Sequence, residues 1–301
     1  CRSCEHEIVV LYQHILRSVD VVHDTTANAV LADYQYKFGR PVLVTRNGYD
    51  LSRPMTNKRN IVVLSKAVKK YAKQYLGVET RVVPNGIPVN EYPFCREKKG
   101  FVLYTGHPHP SKGLDLIIEV AKKLPNVRFM LAWSPTFYDH FEYHAQYQRM
   151  ARGLRNVSII TLPNGWDGEQ AKRMLMCQAS LFLQPTIYLE ALGLTAIEAM
   201  STGTAVLLST AGSGPELVRR DVGLLVRNKL SLREQALEWH KHIMDAIELD
   251  ELQQLIEESL ERKWDYAAIR DYAKSRFDVS VTARNYLQLY EELMNGKYWG
   301  D

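Results

Sequence analysis

With 301 residues, 46% of them hydrophobic and 24% charged, the chain holds enough apolar material for two ordinary domains of a soluble globular protein. No apolar run approaches the roughly 18 residues of a membrane span, so the pattern excludes a transmembrane helix. A balance of 38 Lys and Arg against 34 Asp and Glu leaves +4, too mild to demand nucleic acid but compatible with anionic ligands or lipid surfaces.

The chain opens on Cys1, and Cys1, Cys4 and His6 sketch half of a zinc site with no second ligand pair at the needed spacing. Together with Cys95 and Cys177 they are too few for a disulfide-built scaffold, and the composition suits a reducing cytoplasm. No basic-then-apolar leader follows Cys1, which reads against secretion and suggests chain missing upstream. The short runs VDVVHD (19–24), PVLVT (41–45), NIVVLS (60–65) and RVVPNG (81–86), with a helix predicted over 66–76, read as strands of a first parallel α/β sheet. Lys66, Lys69, Lys70 and Lys73 share one face of that helix, either a solvated face or a docking face for an anionic membrane. The segment NGIPVNEYPFCREKKG (85–100), rich in Pro, Gly and charge, interrupts the pattern and sets the expected domain boundary near residue 95.

The pattern restarts with GFVLYTG (100–106), the helix SKGLDLIIEVAKKL, the strand VRFMLAW and an aromatic stretch, FYDHFEYHAQYQ (137–148), whose spacing suits core cover better than a stacking wall. VSIITL, a helix around GEQAKRMLMCQ, the strand SLFLQP, a helix through GLTAIEAMSTG and the strand AVLLST follow, and this alternation predicts a doubly wound sheet that binds ligands at the carboxyl ends of its strands. SGPE (213–216) reads as a helix start with Pro in its first turn and free amides. From Leu252 to Met294 the chain reads as helical, with Tyr286, Leu287, Leu289, Tyr290 and Leu293 forming an apolar face.

EALGLTAIE (190–198) carries the chemistry. Gly193 falls at a helix start, so the amides of Gly193, Leu194 and Thr195 offer a site for a phosphate at the positive end of the helix. Carboxylates repel phosphate but accept hydrogen bonds from hydroxyl pairs, and Glu190 and Glu198 flank the amides. Hydroxyls at two ends and phosphate between describe a nucleotide sugar, although a Glu near a helix start is also favoured by the dipole alone.

Residues 190–218, EALGLTAIEAMSTGTAVLLSTAGSGPELV, resemble the E-x7-E signature of the retaining family 4 glycosyltransferases, supported by RVVPNGIPVNEYPF, LYTGHPHPSKGLDLIIEVAKKL and FDVSVTARNYLQLYEEL. The resemblance implies an α/β protein of the GT-B fold, two Rossmann-like domains with parallel sheets. The first, over residues 1–94, is curtailed; the second, over 95–280, binds the nucleotide sugar; and a helix at 281–301 returns towards the first. It implies that Glu198 holds the ribose, that Glu190 contacts the transferred sugar or supports its positive charge, and that Gly193, Leu194 and Thr195, with Gly106, receive the donor. Lys112 in SKG matches the lysine that neutralises the departing diphosphate, the group such a reaction most needs.

Three departures qualify this. His107 stands where the family has Arg, so donor affinity is expected to fall as pH rises through the histidine range. In VLVTRNGYD, Arg46 and Asn47 occupy the place of a histidine near the donor sugar; they are candidates for sugar or acceptor contact, with an ordinary turn as the rival reading. The first domain has only four candidate strands, which fits a missing segment, a compact variant or a partner chain that completes it.

No Asp-x-Asp triplet is present to bridge a diphosphate through a metal, so no metal and no cofactor are expected, only a UDP- or GDP-sugar as donor and a hydroxyl acceptor on a glycan, lipid or small molecule. A glycosidase would also use two carboxylates but would have no need of the phosphate-suited helix start. Two alternatives stay open: a weak or inactive nucleotide-sugar-binding subunit, and a transferase acting on modified nucleic-acid bases. The expected location is cytoplasmic, at most peripheral at a membrane.

Overall fold

The computed structural model describes residues 14–25, 30–33, 35–48, 59–134 and 140–300. Cys1, Cys4 and His6 lie outside these residues, as does the start of the aromatic stretch, 137–139. The chain divides into two compact units, one of residues 1–85 with 280–301 and one of residues 86–279.

The first unit is built on a parallel sheet in the order β1 (Val22–Asp24), β2 (Val42–Arg46), β3 (Ile61–Val63), β4 (Thr80–Val82). β2 and β3 are buried at every position, as apolar runs are when both faces of a parallel sheet are covered. Two short helices, α1 (Val30–Asp33) and α2 (Gln35–Phe38), precede β2. Helix α3 (Lys66–Leu76) begins at Ser65, whose hydroxyl accepts from the Val68 amide, and stops at Gly77 in the left-handed conformation. It buries Val68, Tyr71 and Ala72 and leaves Lys66, Lys70 and Lys73 exposed.

The last helix, α12 (Val279–Met294), supplies Leu289 and Leu293 to a core with Leu43, Val62 and Val83, and Tyr286 and Tyr290 pack against it. Leu287, expected on the same face, is instead 57% exposed. At 3.6 residues per turn it falls outside the stripe that joins Tyr286, Leu289, Tyr290 and Leu293. A polar chain ties this helix to the sheet: His23 Nδ1 meets the Tyr290 hydroxyl at 2.7 Å, His23 Nε2 meets Thr45 Oγ1 at 2.7 Å, and Thr45 Oγ1 meets the Tyr286 hydroxyl at 2.8 Å. Burial holds His23 below its ordinary pKa, which favours the neutral ring.

The second unit holds a parallel sheet in the order β10 (Gly223–Val226), β9 (Val206–Ser209), β8 (Leu181–Gln184), β5 (Phe101–Thr105), β6 (Arg128–Trp133), β7 (Val157–Thr161). Helices α4 (Leu114–Lys123), α5 (His140–Met150), α6 (Trp166–Gln178), α7 (Leu194–Ser201) and α8 (Gly214–Leu217) alternate with these strands. Helices α9 (Leu232–Leu237), α10 (Leu249–Glu261) and α11 (Tyr266–Phe277) follow β10. The aromatic stretch serves the core here, since Tyr147 is fully buried and donates to Asp115 at 3.0 Å.

The segment read as a linker joins this unit. Ile87 pairs with Asp278, and Arg270 donates to the carbonyls of Tyr92 and Ser201, both at 2.8 Å. Cys95 forms a disulfide with Cys177 across a sequence separation of 82, a pairing that the cysteine count did not suggest. Closing a loop of that length stabilises the native state by on the order of 4 kcal/mol in the chain-entropy description. Reduction of this bond is therefore expected to lower the urea midpoint clearly, and an unchanged midpoint with free thiols present would refute the estimate.

Beside the disulfide, Lys98 donates to the Cys177 carbonyl and to Thr204 Oγ1, both at 2.8 Å, and burial lowers its pKa from 10.5 to about 8. Between these values the unfolded chain holds a proton that the folded chain has released, so this group makes stability rise with pH across that window. Lys98→Met is expected to show a smaller gain in unfolding free energy than the wild type between about pH 7.5 and about pH 10. An equal gain in both would assign the proton release elsewhere.

Candidate functional site

β5 and β8 are neighbours, yet the chain runs from β5 towards β6 and β7 on one side and from β8 towards β9 and β10 on the other. The strand order reverses between them, and in such sheets ligands bind in the crevice outside the carboxyl ends of the strands at that point. The loops that leave β5 and β8 there carry most of the residues singled out by the sequence.

After β5, Gly106 adopts a φ of 148°, and the Tyr104 hydroxyl donates to the His107 carbonyl at 2.6 Å. A 3-10 turn over Pro110–Lys112 ends at Gly113, φ 78°, where an added Cβ would stand 2.2 Å from the Pro185 carbonyl oxygen. Only glycine lets the two loops lie this close. The approach brings Lys112 against Glu190: Lys112 Nζ donates to Glu190 Oε2 at 2.6 Å and to the Tyr188 hydroxyl at 2.8 Å, and that hydroxyl donates to Glu190 Oε1 at 2.9 Å. The two charged side chains are 18% and 14% exposed, so the pair is shielded but reachable.

After β8, Thr195 Oγ1 donates to Gln184 Oε1 at 3.1 Å, and Gly193, φ 76°, opens α7. Leu194 and Thr195 begin the helix, where amides lack intrahelical acceptors. One turn on, Glu198 Oε1 accepts from Lys172 Nζ and from the Tyr92 hydroxyl, both at 3.0 Å. Glu198 Oε2 is buried and meets no donor among the described residues. Lys172 also pairs with Glu169 at 2.9 Å. Burial would raise the Glu169 pKa, but the hydrogen bonds and charges of Lys172 and Arg173 outweigh it and hold the carboxyl low.

A cavity of about 320 Å³ is lined by Gly106, His107, Trp133, Glu169, Lys172 and Thr195 among others, and Glu198 stands behind this wall as the partner of Lys172. A smaller depression is lined by Glu190, Gly193, Ser213 and Gly214, with Ser213 Oγ buried and without a partner among the described residues. Among the described residues no group of three or more His, Cys, Asp or Glu is arranged to hold a metal ion.

Lys112 and Glu190 thus touch, while Gly106, His107 and Thr195 share the cavity wall with residues that the sequence reading passed over. The His107 ring lies 5.6 Å from that of His109. Arg46 and Asn47 belong to the first unit, where Arg46 is buried at the end of β2 and Asn47 accepts from Asn85 Nδ2 at 3.1 Å. The SGPE helix, α8, has only four residues. Tyr92, Lys172 and Tyr188 were missed. Glu169, Lys172 and Arg173, at helical spacing beside the strand β8, were the available signal for one of them.

The profile of the family described as Glycosyl transferases group 1 matches residues 93–263, more than half of the chain. The chain belongs to this family. Among curated proteins it is 26% identical over 253 residues to a phosphatidyl-myo-inositol mannosyltransferase of Mycobacterium tuberculosis, covering 79% of this chain and 61% of that protein. It is 32% identical over 130 residues to the O-antigen chain mannosyltransferase B of Escherichia coli, covering 42% of this chain and 32% of that one. This group 1 chain thus spans less than two thirds of the length of these relatives. Among solved structures, Anabaena HepE in complex with UDP superposes with a TM-score of 0.73 at 19% identity, over 95% of this chain and 82% of that one. A glycosyltransferase from Rickettsia africae gives 0.71 at 16% identity, over 96% and 80%. These likenesses establish the fold, the α/β GT-B architecture with its parallel sheets of four and six strands.

Proposed function

We propose that this protein is a retaining glycosyltransferase that moves a sugar from a nucleotide-diphosphate sugar to a hydroxyl acceptor. The observation that carries the reading is Glu198, whose Oε2 is buried without a donor while its Oε1 is held by two. A buried carboxylate oxygen needs donors, and the hydroxyls of a ribose supply them. The diphosphate lies at the amides that open α7, with Lys112 opposite the oxygen that departs. Glu190, paired with Lys112 and accepting from the Tyr188 hydroxyl, borders the transferred sugar.

In the reaction the bond from the anomeric carbon to the diphosphate oxygen breaks and its electron pair leaves with the phosphate. The acceptor oxygen attacks the same face of a short-lived oxocarbenium ion, and its proton passes to the departing phosphate oxygen. The charge that builds on that oxygen is what Lys112 and the helix amides stabilise. The UDP held by HepE supports a UDP-sugar as donor, with a GDP-sugar as the other candidate, and the relatives' names support a mannosyl group among the sugars to be tried.

The test is incubation with a panel of UDP- and GDP-hexoses and acceptors, reading released nucleoside diphosphate and the anomeric configuration of the product by NMR. Transfer with the donor's configuration kept supports the reading; an inverted product overturns retention. His107 in place of an arginine favours a second reading, a binding subunit, which expects donor binding without turnover.

Among the described residues no helix is long and apolar enough to cross a membrane. We place the protein at the cytoplasmic face of an anionic membrane, on the basic face of α3 and the lipid acceptor named in the mycobacterial relative. The Cys95–Cys177 bond argues the other way, since such bonds persist in oxidising surroundings. Alkylation in denaturant of cells quenched in acid decides, since Cys177 is buried in the folded chain: both cysteines modified supports the cytoplasm, both protected contradicts it.

A further inference from the structure

The segment 89–95 is fastened to α6 and α7 more heavily than a chain crossing requires. Cys95 is bonded to Cys177 near the end of α6. Arg173 of α6 donates to the Glu91 carbonyl at 3.1 Å, and its guanidinium lies 4.4 Å from the centre of the Tyr92 ring. Arg270 bridges the Tyr92 carbonyl to that of Ser201, the last residue of α7. Tyr92 lies within this fastened segment, and its hydroxyl donates to Glu198 Oε1.

Burial first, then the charge of Glu198, pushes the Tyr92 phenol well above its ordinary range, so it remains a donor at any working pH. Lys172, with its side chain 17% exposed, reaches the same oxygen of Glu198 from α6. Two donors occupy the two lone-pair positions of Oε1, and the other oxygen keeps its full accepting capacity.

We propose that Tyr92 and Lys172 are positioning residues that hold Glu198 by one carboxylate oxygen and so aim the other at the ribose diol of the donor. This rests on the donor reading above. The anchored segment and the disulfide exist, on this account, to keep the phenol and the ammonium on the same atom. Freed from either, the carboxylate turns to satisfy both oxygens within the protein or in water, and its selectivity for the diol declines.

Titration calorimetry on the full chain tests it, with UDP, GDP and their 2′-deoxy counterparts as probes. Loss of one hydroxyl bonded to a carboxylate costs the wild type about tenfold or more in affinity. Tyr92→Phe and Lys172→Met are expected to bring the ribo-to-deoxy ratio down to about threefold or less while binding of the deoxy nucleotide persists, and Lys172→Arg to restore most of the ratio. A purely structural role would weaken both nucleotides alike and leave the ratio unmoved. Tyr92→Phe removes one oxygen only, so it decides the matter even where Lys172→Met does not fold. If Glu198→Ala erases the ratio but Tyr92→Phe and Lys172→Met keep it, the clamp is wrong and the donor site stands. No binding of any nucleoside diphosphate by the wild type overturns the donor reading itself, and the clamp with it.

Discussion

Glu198→Ala is expected to remove nearly all stabilisation of the protein by its cognate nucleoside diphosphate. Hydrogen bonds to a charged group are worth about 1.5–3 kcal/mol each, so loss of both contacts to the ribose diol lowers affinity by about a hundredfold or more. The thermal shift given by the wild type at ligand excess then shrinks towards zero at the same concentration. The fold tolerates the change, because alanine suits the interior of α7 and Lys172 keeps Glu169 as a partner. An unaltered shift would mean that the buried oxygen serves the protein and not a ligand.

Lys112→Ala is expected to cost most in turnover. Removing one preorganised group from a site of developing charge lowers kcat by about 10²–10³. It also leaves Glu190, 14% exposed, without its cation and with the Tyr188 hydroxyl as its donor, so donor binding weakens as well but by less than turnover. Lys112→Arg keeps the charge yet must fit beside Tyr188, whose ring lies 4.7 Å from Nζ, and recovers only part of the rate. A loss of donor affinity with kcat unchanged would show that Lys112 serves binding alone.

Much of the fold was legible because parallel strands buried on both faces leave short apolar runs, as in PVLVT and GFVLYTG. β10, GLLV, is a run of only four residues, too short to stand out in the sequence. In the candidate site the helix start was legible from backbone chemistry: Gly193 opens α7, and Glu198 follows one turn on. What stayed hidden depends on distant parts of the chain meeting. The Lys112–Glu190 pair exists because Gly113 admits the Pro185 carbonyl, and no spacing of charges along the sequence announces that approach. Tyr92 and Cys95 were read as linker because their segment is rich in Pro and charge, yet their partners on α6 and α7 lie many turns of chain away. Leu287 shows the reverse error, an apolar residue assigned to a face that the helix turns past.

The most direct test is a crystal structure of the full chain with the nucleoside diphosphate that gives the largest thermal shift. A ribose hydroxyl is expected within hydrogen-bond distance of Glu198 Oε2, with Oε1 still on Tyr92 and Lys172, and the diphosphate against the Leu194 and Thr195 amides and Lys112. A nucleotide bound elsewhere, or one at the start of α7 whose ribose leaves Oε2 without a donor, would contradict it.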